Sequence, residues 1–178
     1  MKTLRHYKNF VNYIPERTKE NADLLDHGVG FSRDENGNDW YELRKTFRED
    51  TWKLVYAKDG SVIQCEKDVQ ELAVQGSAGV VELEEIPAEY SRYNMMQWWW
   101  DGEKLTWYPR YFENQKAYLL SMASKKIEQY ADFMALGEEG LEGILNAWRI
   151  YRLAVYKVDL SVLPFYDWPE KPEKPEAL

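Results

Sequence analysis

The sequence predicts an α+β fold in which a β-rich N-terminal half precedes two helices and a proline-rich tail. Three observations predict it. Short apolar runs separated by turn residues fill the first hundred or so positions. After Pro109 the apolar residues recur at helical spacing. Four of the seven prolines lie from Pro164 onward. We therefore predict three segments, 1–109, 110–163 and 164–178.

The N-terminal half contains three predicted β-hairpins and one further strand. Each hairpin joins two short runs across an Asn-Gly or Asp-Gly step, which tolerates the positive φ of a tight turn. The pairs are 29–33 with 39–47 around Asn36-Gly37, 51–57 with 61–66 around Asp59-Gly60, and 97–100 with 104–108 around Asp101-Gly102. Val80, Val81 and Leu83 indicate the further strand. Short connections of this kind favour an antiparallel sheet.

Two amphipathic helices are predicted to follow, at 112–136 and 139–158. Gly137 suits the end of the first helix, and the connection to Gly140 is short. The helices are therefore expected to pack antiparallel or to diverge as a shared extension. The predicted core residues of this pair are Leu120, Ile127, Leu145, Trp148, Tyr151 and Val155.

Charge and hydropathy narrow the classes of partner. The 23 Lys and Arg residues against 31 Asp and Glu give a net charge of −8, which disfavours binding to nucleic acid or to an anionic membrane. No apolar run approaches the roughly 20 residues that span a bilayer. The start, MKTLRHYKNF, lacks the apolar core of a secretory signal, so we expect the chain in the cytosol where it is made.

Catalytic and metal-binding motifs are not visible in the sequence. Cys65 is interpreted as a small strand residue, and with only His6 and His27 there is no convincing set of zinc ligands. We predict no catalytic residue, no metal site and no cofactor. An enzyme would need two carboxyl groups opposed across a cleft, such as Glu42 facing Glu82, which the sequence cannot show.

The run Trp98-Trp99-Trp100 is the most unusual local feature. Strand alternation predicts that Trp98 and Trp100 lie on one face and Trp99 on the other. Either both faces pack within the chain, or one face is a platform for a partner protein or for sugar rings. The exposure of Trp98, Trp99 and Trp107 distinguishes these two interpretations.

Four C-terminal segments together resemble the signature end of the phage tail fibre assembly proteins. They are Leu145 to Ala154 (LNAWRIYRLA), Lys157-Val158-Asp159, Asp167-Trp168-Pro169 and Pro172. Lys116, Leu119-Leu120, Ala123 and Ile127 are similar to that family's first conserved helix. Segments of the N-terminal half, such as Asp39-Trp40-Tyr41-Glu42, extend the resemblance over nearly the whole chain.

The resemblance implies a chaperone that binds the C-terminal region of a trimeric tail fibre and promotes its folding and trimerisation. It implies no catalysis and no cofactor, and a place in the host bacterial cytoplasm, with some members staying on the fibre tip. We expect 1–109 to recognise the fibre and 110–163 to supply assembly. The alternative is a glycan-binding module on the fibre tip. Self-association stays open.

The partner-binding candidates are all aromatic or proline residues. They are Trp98, Trp99, Trp100, Trp107, Trp168 and Pro169. Trp168 is expected to dock on the helix pair or on a neighbouring subunit, or else to pack for stability alone. Residues 170–178 are expected to be loose.

Overall fold

The computed structural model describes residues 1–173, which form two compact units, Met1–Tyr108 and a second unit that begins at Pro109. Each unit has a hydrophobic core of its own residues. The first contains β1 (Thr3–Tyr7), β2 (Val11–Tyr13), α1 (Ala22–Asp26), β3 (Phe31–Arg33), α2 (Trp40–Leu43), β4 (Trp52–Tyr56), β5 (Val62–Glu66), β6 (Gly79–Leu83), β7 (Trp98–Trp100) and β8 (Leu105–Trp107). The second contains α3 (Pro109–Ala135) and α4 (Glu142–Tyr156).

A four-stranded antiparallel sheet in the order β1-β6-β4-β5 forms the centre of the first unit. The central strands β4 and β6 pair Leu54 with Val81 and Val55 with Val80. All five residues of β6 are buried, because the sheet is covered on both faces. This double coverage explains why β6 reads as a nearly continuous apolar run rather than as an alternating one.

Two hydrophobic clusters cover the two faces of this sheet. Val55 and Val80 point into a cluster with Phe10, Trp40 and Phe47. The other face carries a cluster to which the β7–β8 hairpin contributes, made of Leu54, Val62, Cys65, Val81, Leu83, Trp98, Trp100 and Leu105. The hairpin is thereby fixed against the sheet, which sets the positions of its tryptophans.

The α+β class and two of the three predicted hairpins are confirmed. Strands β4 and β5 pair, as do β7 and β8, and the predicted strand at Val80–Leu83 is β6. The first predicted hairpin is wrong, because its second run is α2 followed by a 3-10 turn, Arg44–Thr46. Asp39 caps that helix, and its Oδ1 accepts hydrogen bonds from the amides of Tyr41 and Glu42.

The true partner of β3 is β2, at Val11–Tyr13, and the outer strand β1 pairs with β6. Neither β1 nor β2 was predicted. Strand β1 pairs with residues that lie far away in the sequence. Strand β2 has only three residues, and no tight turn connects it to β3. The local sequence pattern therefore indicates neither strand. The predicted turn around Asn36-Gly37 does form, and Asp34 Oδ1 organises it by accepting from the amides of Asn36 and Asn38.

The helices of the second unit pack antiparallel. Lys116 Nζ donates to the carbonyl oxygen of Val158 at 2.6 Å, and Arg152 Nη1 donates to Ser124 Oγ at 3.3 Å. The end of α4 thus lies beside the start of α3, and the middle of α4 lies beside the middle of α3. Helix α4 begins later than the predicted Glu139, because Gly140 has a φ of +77°, which a right-handed helix cannot contain.

The core of the helix pair contains most of the predicted residues. Leu119, Ala123, Trp148, Tyr151 and Val155 form the buried cluster, and Leu145 is also buried. Leu120 and Ile127 are only half-buried at its edge. The buried face of α3 is thus centred on Leu119 and Ala123 rather than on the predicted residues Leu120 and Ile127. Beyond α4, residues 157–173 contain no helix or strand, and residues 174–178 of the predicted loose end lie outside the described residues.

Candidate partner-binding surfaces

The β7–β8 hairpin sorts its tryptophans by strand alternation, as predicted. Trp98 and Trp100 are 2% and 3% exposed and belong to the core of the first unit. Trp98 pairs with Trp107 across the strands, and their rings stack with centroids 4.0 Å apart. Trp98 and Trp100 therefore present no accessible surface in this chain, and Trp99 and Trp107 are the half-buried members.

Trp99 lies on the opposite face of the hairpin and is held in place by the β4–β5 turn. Its Nε1 donates to the carbonyl oxygen of Asp59 at 2.6 Å, and its ring stacks on Tyr108 with centroids 6.2 Å apart. A Cβ at Gly60, where φ is +87°, would lie 2.0 Å from Trp99 Nε1. The glycine therefore serves both the turn and the close approach of the indole. Trp99 is a preorganised aromatic surface rather than a mobile one.

A cavity of about 320 Å³ lies beside Trp99. Among the residues that line it are His6, Tyr56, Asp59 and Asp101. His6 Nε2 is 2.6 Å from the Tyr56 hydroxyl. Burial lowers the pKa of His6 and raises the pKa of Tyr56 to about 12, so at neutral pH a neutral imidazole and a neutral hydroxyl share this hydrogen bond. The hydrogen bond links β1 to β4 across the four-stranded sheet.

The carboxylates considered for an enzyme do not face each other across a cleft. Glu82 is fully buried and accepts hydrogen bonds from Arg5 Nη1 at 3.0 Å, from the Arg48 amide at 2.8 Å and from Thr51 Oγ1 at 2.6 Å. Glu42 lies exposed on α2, where Lys45 pairs with it at 2.6 Å. Glu82 is thus occupied by structural contacts, which is the role its environment supports.

Cys65 is a buried core residue. Burial raises the pKa of its thiol to about 12, so it stays protonated and unreactive at neutral pH. In residues 1–173, no three side chains among His, Cys, Asp and Glu cluster closely enough to hold a metal ion. None of the helices in the described part of the chain is long and apolar enough to cross a membrane.

The second unit carries the other predicted candidates on its tail. Trp168 is half-buried against the cluster that contains Leu119 and Trp148. Its ring meets the Phe165 ring edge-on at 5.0 Å between centroids, and its amide donates to the carbonyl oxygen of Tyr166 at 2.9 Å. Pro169 is half-buried beside it. The tail therefore folds back on its own helix pair through an aromatic anchor.

Comparison with known proteins places this architecture in a family. Residues 42–173 match the family model for "Caudovirales tail fibre assembly protein, lambda gpK". The chain is also 32% identical over 180 residues to the tail fiber assembly protein U' of Escherichia phage Mu and to that of Escherichia phage P1. Each alignment covers 96% of this chain and 100% of the relative. The chain belongs to the tail fibre assembly family.

A more divergent relative supports the same conclusion. The probable tail fiber assembly protein of Escherichia phage P2 is 29% identical, again over 180 residues, 96% of this chain and 100% of the relative. In this tail fibre assembly protein the family model covers residues 42–173, so it includes the β7–β8 hairpin, the helix pair and Trp168. The family membership predicted from the sequence motifs is thereby confirmed.

One exposed apolar surface of the tail fibre assembly protein was not predicted from the sequence. Tyr93 and Met96 project from a 3-10 turn, Arg92–Gln97, just before the tryptophan run. Tyr93 is fully exposed and Met96 is 73% exposed. A period of three, with two apolar residues three positions apart, is the only sequence signal for it, and that signal is short.

Proposed function

We propose that this member of the tail fibre assembly family is a chaperone that binds the C-terminal region of a trimeric tail fibre and promotes its folding and trimerisation. A role in phage tail fibre assembly follows from the family. The chaperone mechanism is a more specific proposal than this family role. The observation that supports it is that the chain has two units with separate cores, each of which presents aromatic side chains at its surface, and that the family match includes parts of both.

Physical chemistry explains why a fibre would need such a protein. Fibre protomers that have not yet trimerised expose apolar surface and unpaired strand edges, and such species aggregate. A protein that covers these surfaces with rigid aromatic groups lowers the concentration of the aggregating form. It can then be displaced as the protomers bury the same surfaces against each other. No chemical step is required, and we propose an assembly role rather than a catalytic one.

We propose a division of labour between the two units. The first unit, with Trp99 and Trp107 half-buried on a fixed hairpin, recognises the fibre. The helix pair and its Trp168 anchor supply the assembly function. Assembly would take place in the cytoplasm of the host bacterium, where the fibre is made.

Binding to the fibre is tested by co-purification. The tagged chain is co-expressed with a C-terminal fragment of the tail fibre from the same phage or prophage, and the complex is measured by size exclusion with light scattering. We expect a complex of defined mass. Failure to recover a complex, when the fragment is soluble and the chain is folded, would contradict the proposal.

The tail anchor gives a more specific prediction. Trp168→Ala removes a half-buried ring from the helix-pair cluster, so we expect a loss of about 2 kcal/mol in the free energy of unfolding from the lost apolar burial. We also expect less soluble trimeric fibre on co-expression, because the tail would no longer hold the helix pair in its assembly-competent arrangement.

The control is removal of the residues after Pro172, which leaves Trp168 and Pro169 in place. This truncated chain should give the same trimer yield as the full chain. If Trp168→Ala also matches the full chain in both trimer yield and melting temperature, the tail has neither a stabilising nor an assembly role.

A further inference from the structure

Strand β1 lies at one edge of the four-stranded sheet and, among the described strands, pairs only with β6. The opposite edge is partly covered, because Ser61, just before β5, forms a bridge with Trp99 of β7. Backbone N–H and C=O groups on the unpaired side of an edge strand can pair with another extended chain. The outer side of β1 is therefore where this sheet can accept a further strand.

The hydrogen bonds at the end of β1 show which backbone groups face outward. The amide of Glu35, in the turn after β3, donates to the carbonyl oxygen of Lys8 at 3.1 Å, so that carbonyl points away from β6. Backbone groups of successive residues in a strand alternate between its two sides. Tyr7 is thus bonded toward β6, and the N–H and C=O groups of His6 face outward.

The start of β1 leads to the same assignment. The amide of Glu84 donates to the carbonyl oxygen of Lys2 at 3.1 Å, so Lys2 faces the β6 side and Thr3 faces outward. A β-bulge between Thr3 and Arg5 adds one residue, after which Arg5 faces β6 and His6 faces outward. In residues 1–173, no turn or side chain bonds the backbone of His6 on that outer side.

The side chain of His6 fixes this edge to the rest of the sheet. His6 Nε2 is 2.6 Å from the hydroxyl of Tyr56 on β4. The Tyr56 ring crosses β6 at Gly79, where a Cβ would lie 2.2 Å from Tyr56 Cζ. Because the glycine leaves room for this crossing, β1 is tied to β4 over the intervening strand. An edge held in this way loses little conformational entropy when another strand pairs with it.

The cavity beside Trp99 reaches the same edge. His6, Lys8 and Asn9 line it from the β1 side, and Trp99 and Asp101 line it from the β7–β8 hairpin. When a strand is added to a sheet, main-chain hydrogen bonds supply affinity and pockets for alternate side chains supply specificity. The outer side of β1 therefore has both components of a strand-binding site.

The turn that contains Glu35 restricts which strand can bind. In an antiparallel pair of β1 strands from two copies, centred on His6, Lys8 of one copy would lie opposite Leu4 of the other. Glu35 already occupies the outer side of Lys8, so it blocks this pairing of two copies. A strand from a different protein that ends beside His6 meets no such obstacle. Fibre protomers that have not yet trimerised have unpaired strands of this kind.

We propose that an extended segment from the C-terminal region of the tail fibre pairs with the outer edge of β1, beside the cavity at Trp99, and adds a strand to the sheet. This inference rests on the proposed function and names the element of the first unit that holds the fibre. Pairing of this kind would cover a strand edge of the unassembled fibre, which is the surface through which such protomers aggregate.

Amide hydrogen exchange of the unmodified chain tests the pairing directly. Exchange is measured residue by residue for the chain alone and for its complex with a C-terminal fibre fragment. We expect the Tyr7 amide to be protected in both states, because it bonds to β6. The His6 amide should exchange rapidly in the free chain and about tenfold or more slowly in the complex, because it gains an acceptor. Unchanged exchange at His6 on binding would overturn the inference.

A matched pair of variants separates the backbone of His6 from its side chain. His6→Pro and His6→Ala both remove the imidazole and its bond to Tyr56, but only His6→Pro removes the amide. Proline is tolerated on an edge strand where the N–H faces solvent, so the two variants should melt at similar temperatures. We expect His6→Pro to bind the fragment about tenfold or more weakly than His6→Ala. If His6→Pro melts lower than His6→Ala, the exchange measurement on the unmodified chain decides.

The outcomes separate strand addition from the proposed function. If the unmodified chain binds the fragment without protecting the His6 amide, or if the two variants fold and bind equally well, the inference is wrong and the proposed function stands. If the unmodified chain binds no fibre fragment, both fail. If the His6 amide of the chain alone becomes protected as its concentration rises, together with dimerisation in sedimentation, a second copy covers the edge and the inference is overturned.

Discussion

Trp148→Ala is expected to lower the free energy of unfolding of the helical unit by about 3–5 kcal/mol, the range for truncation of a large buried aromatic side chain. Trp148 is 6% exposed and packs with Leu119, Ala123 and Val155. Its ring also meets the Tyr151 ring edge-on with centroids 5.5 Å apart.

The measurement is chemical denaturation followed by circular dichroism, with Ile150→Ala as the matched control. Ile150 is on the same helix but 61% exposed, so its truncation should change the free energy of unfolding by no more than about 0.5 kcal/mol. Equal effects of the two substitutions would show that Trp148 is not a core residue of the helix pair.

Glu82→Ala is expected to cost about 3–5 kcal/mol in the free energy of unfolding of the first unit, because it removes a fully buried carboxylate that pairs with Arg5 and takes an opposite charge away from buried Lys53. Glu82 and Lys53 are cross-strand partners on β6 and β4, and both are buried. Lys53 Nζ donates to the carbonyl oxygens of Thr51 at 3.0 Å and Lys67 at 2.7 Å, and Glu82 contributes most among the nearby carboxylates whose charge favours the protonated form of Lys53. Burial already lowers the pKa of Lys53, and loss of the Glu82 charge would lower that pKa further.

The loss at Glu82 includes its hydrogen bonds as well as its charge. Without it, the Arg48 amide loses its acceptor inside the protein, and the Thr51 hydroxyl keeps only the carbonyl oxygen of Arg48 at 2.9 Å. The control is Glu84→Ala, since Glu84 is a neighbouring exposed carboxylate 3.9 Å from Lys2 Nζ. That substitution should cost no more than about 1 kcal/mol. Comparable melting temperatures for the two variants would contradict the role assigned to the buried network.

How far the sequence predicts this fold depends on whether the deciding contact is local. Asp-Gly turns identified two hairpins because the turn alone favours the pairing of its flanking runs. The same reasoning failed at residues 39–47, because Asp39 can end a turn or cap a helix and only the helix satisfies the amides of Tyr41 and Glu42. Strand β1 could not be predicted, since its partner β6 lies more than 70 residues away.

The exposure of the candidate binding residues also depends on whether the deciding contacts are local. Strand alternation correctly separated Trp99 from Trp98 and Trp100, but it could not show which face is covered by the sheet. The exposure of Tyr93 depends on contacts of Arg92 and Asn94 with distant elements, so no local pattern predicts it. An aromatic residue in a proline-rich segment needs a surface to cover it, but the sequence left open whether Trp168 covers the helix pair or a neighbouring subunit, and the structure has it against the helix pair.

The central claim is that this chain increases the yield of correctly assembled fibre, and one measurement tests it most directly. The tail fibre of the same phage or prophage is expressed with and without this chain, and soluble trimer is quantified by light scattering and by resistance to dissociation in detergent. We expect mainly aggregated or monomeric fibre when the fibre is expressed alone and mainly soluble trimer when this chain is present. An equal yield of trimer in both cultures, with the chain folded and expressed, would contradict the proposed chaperone function.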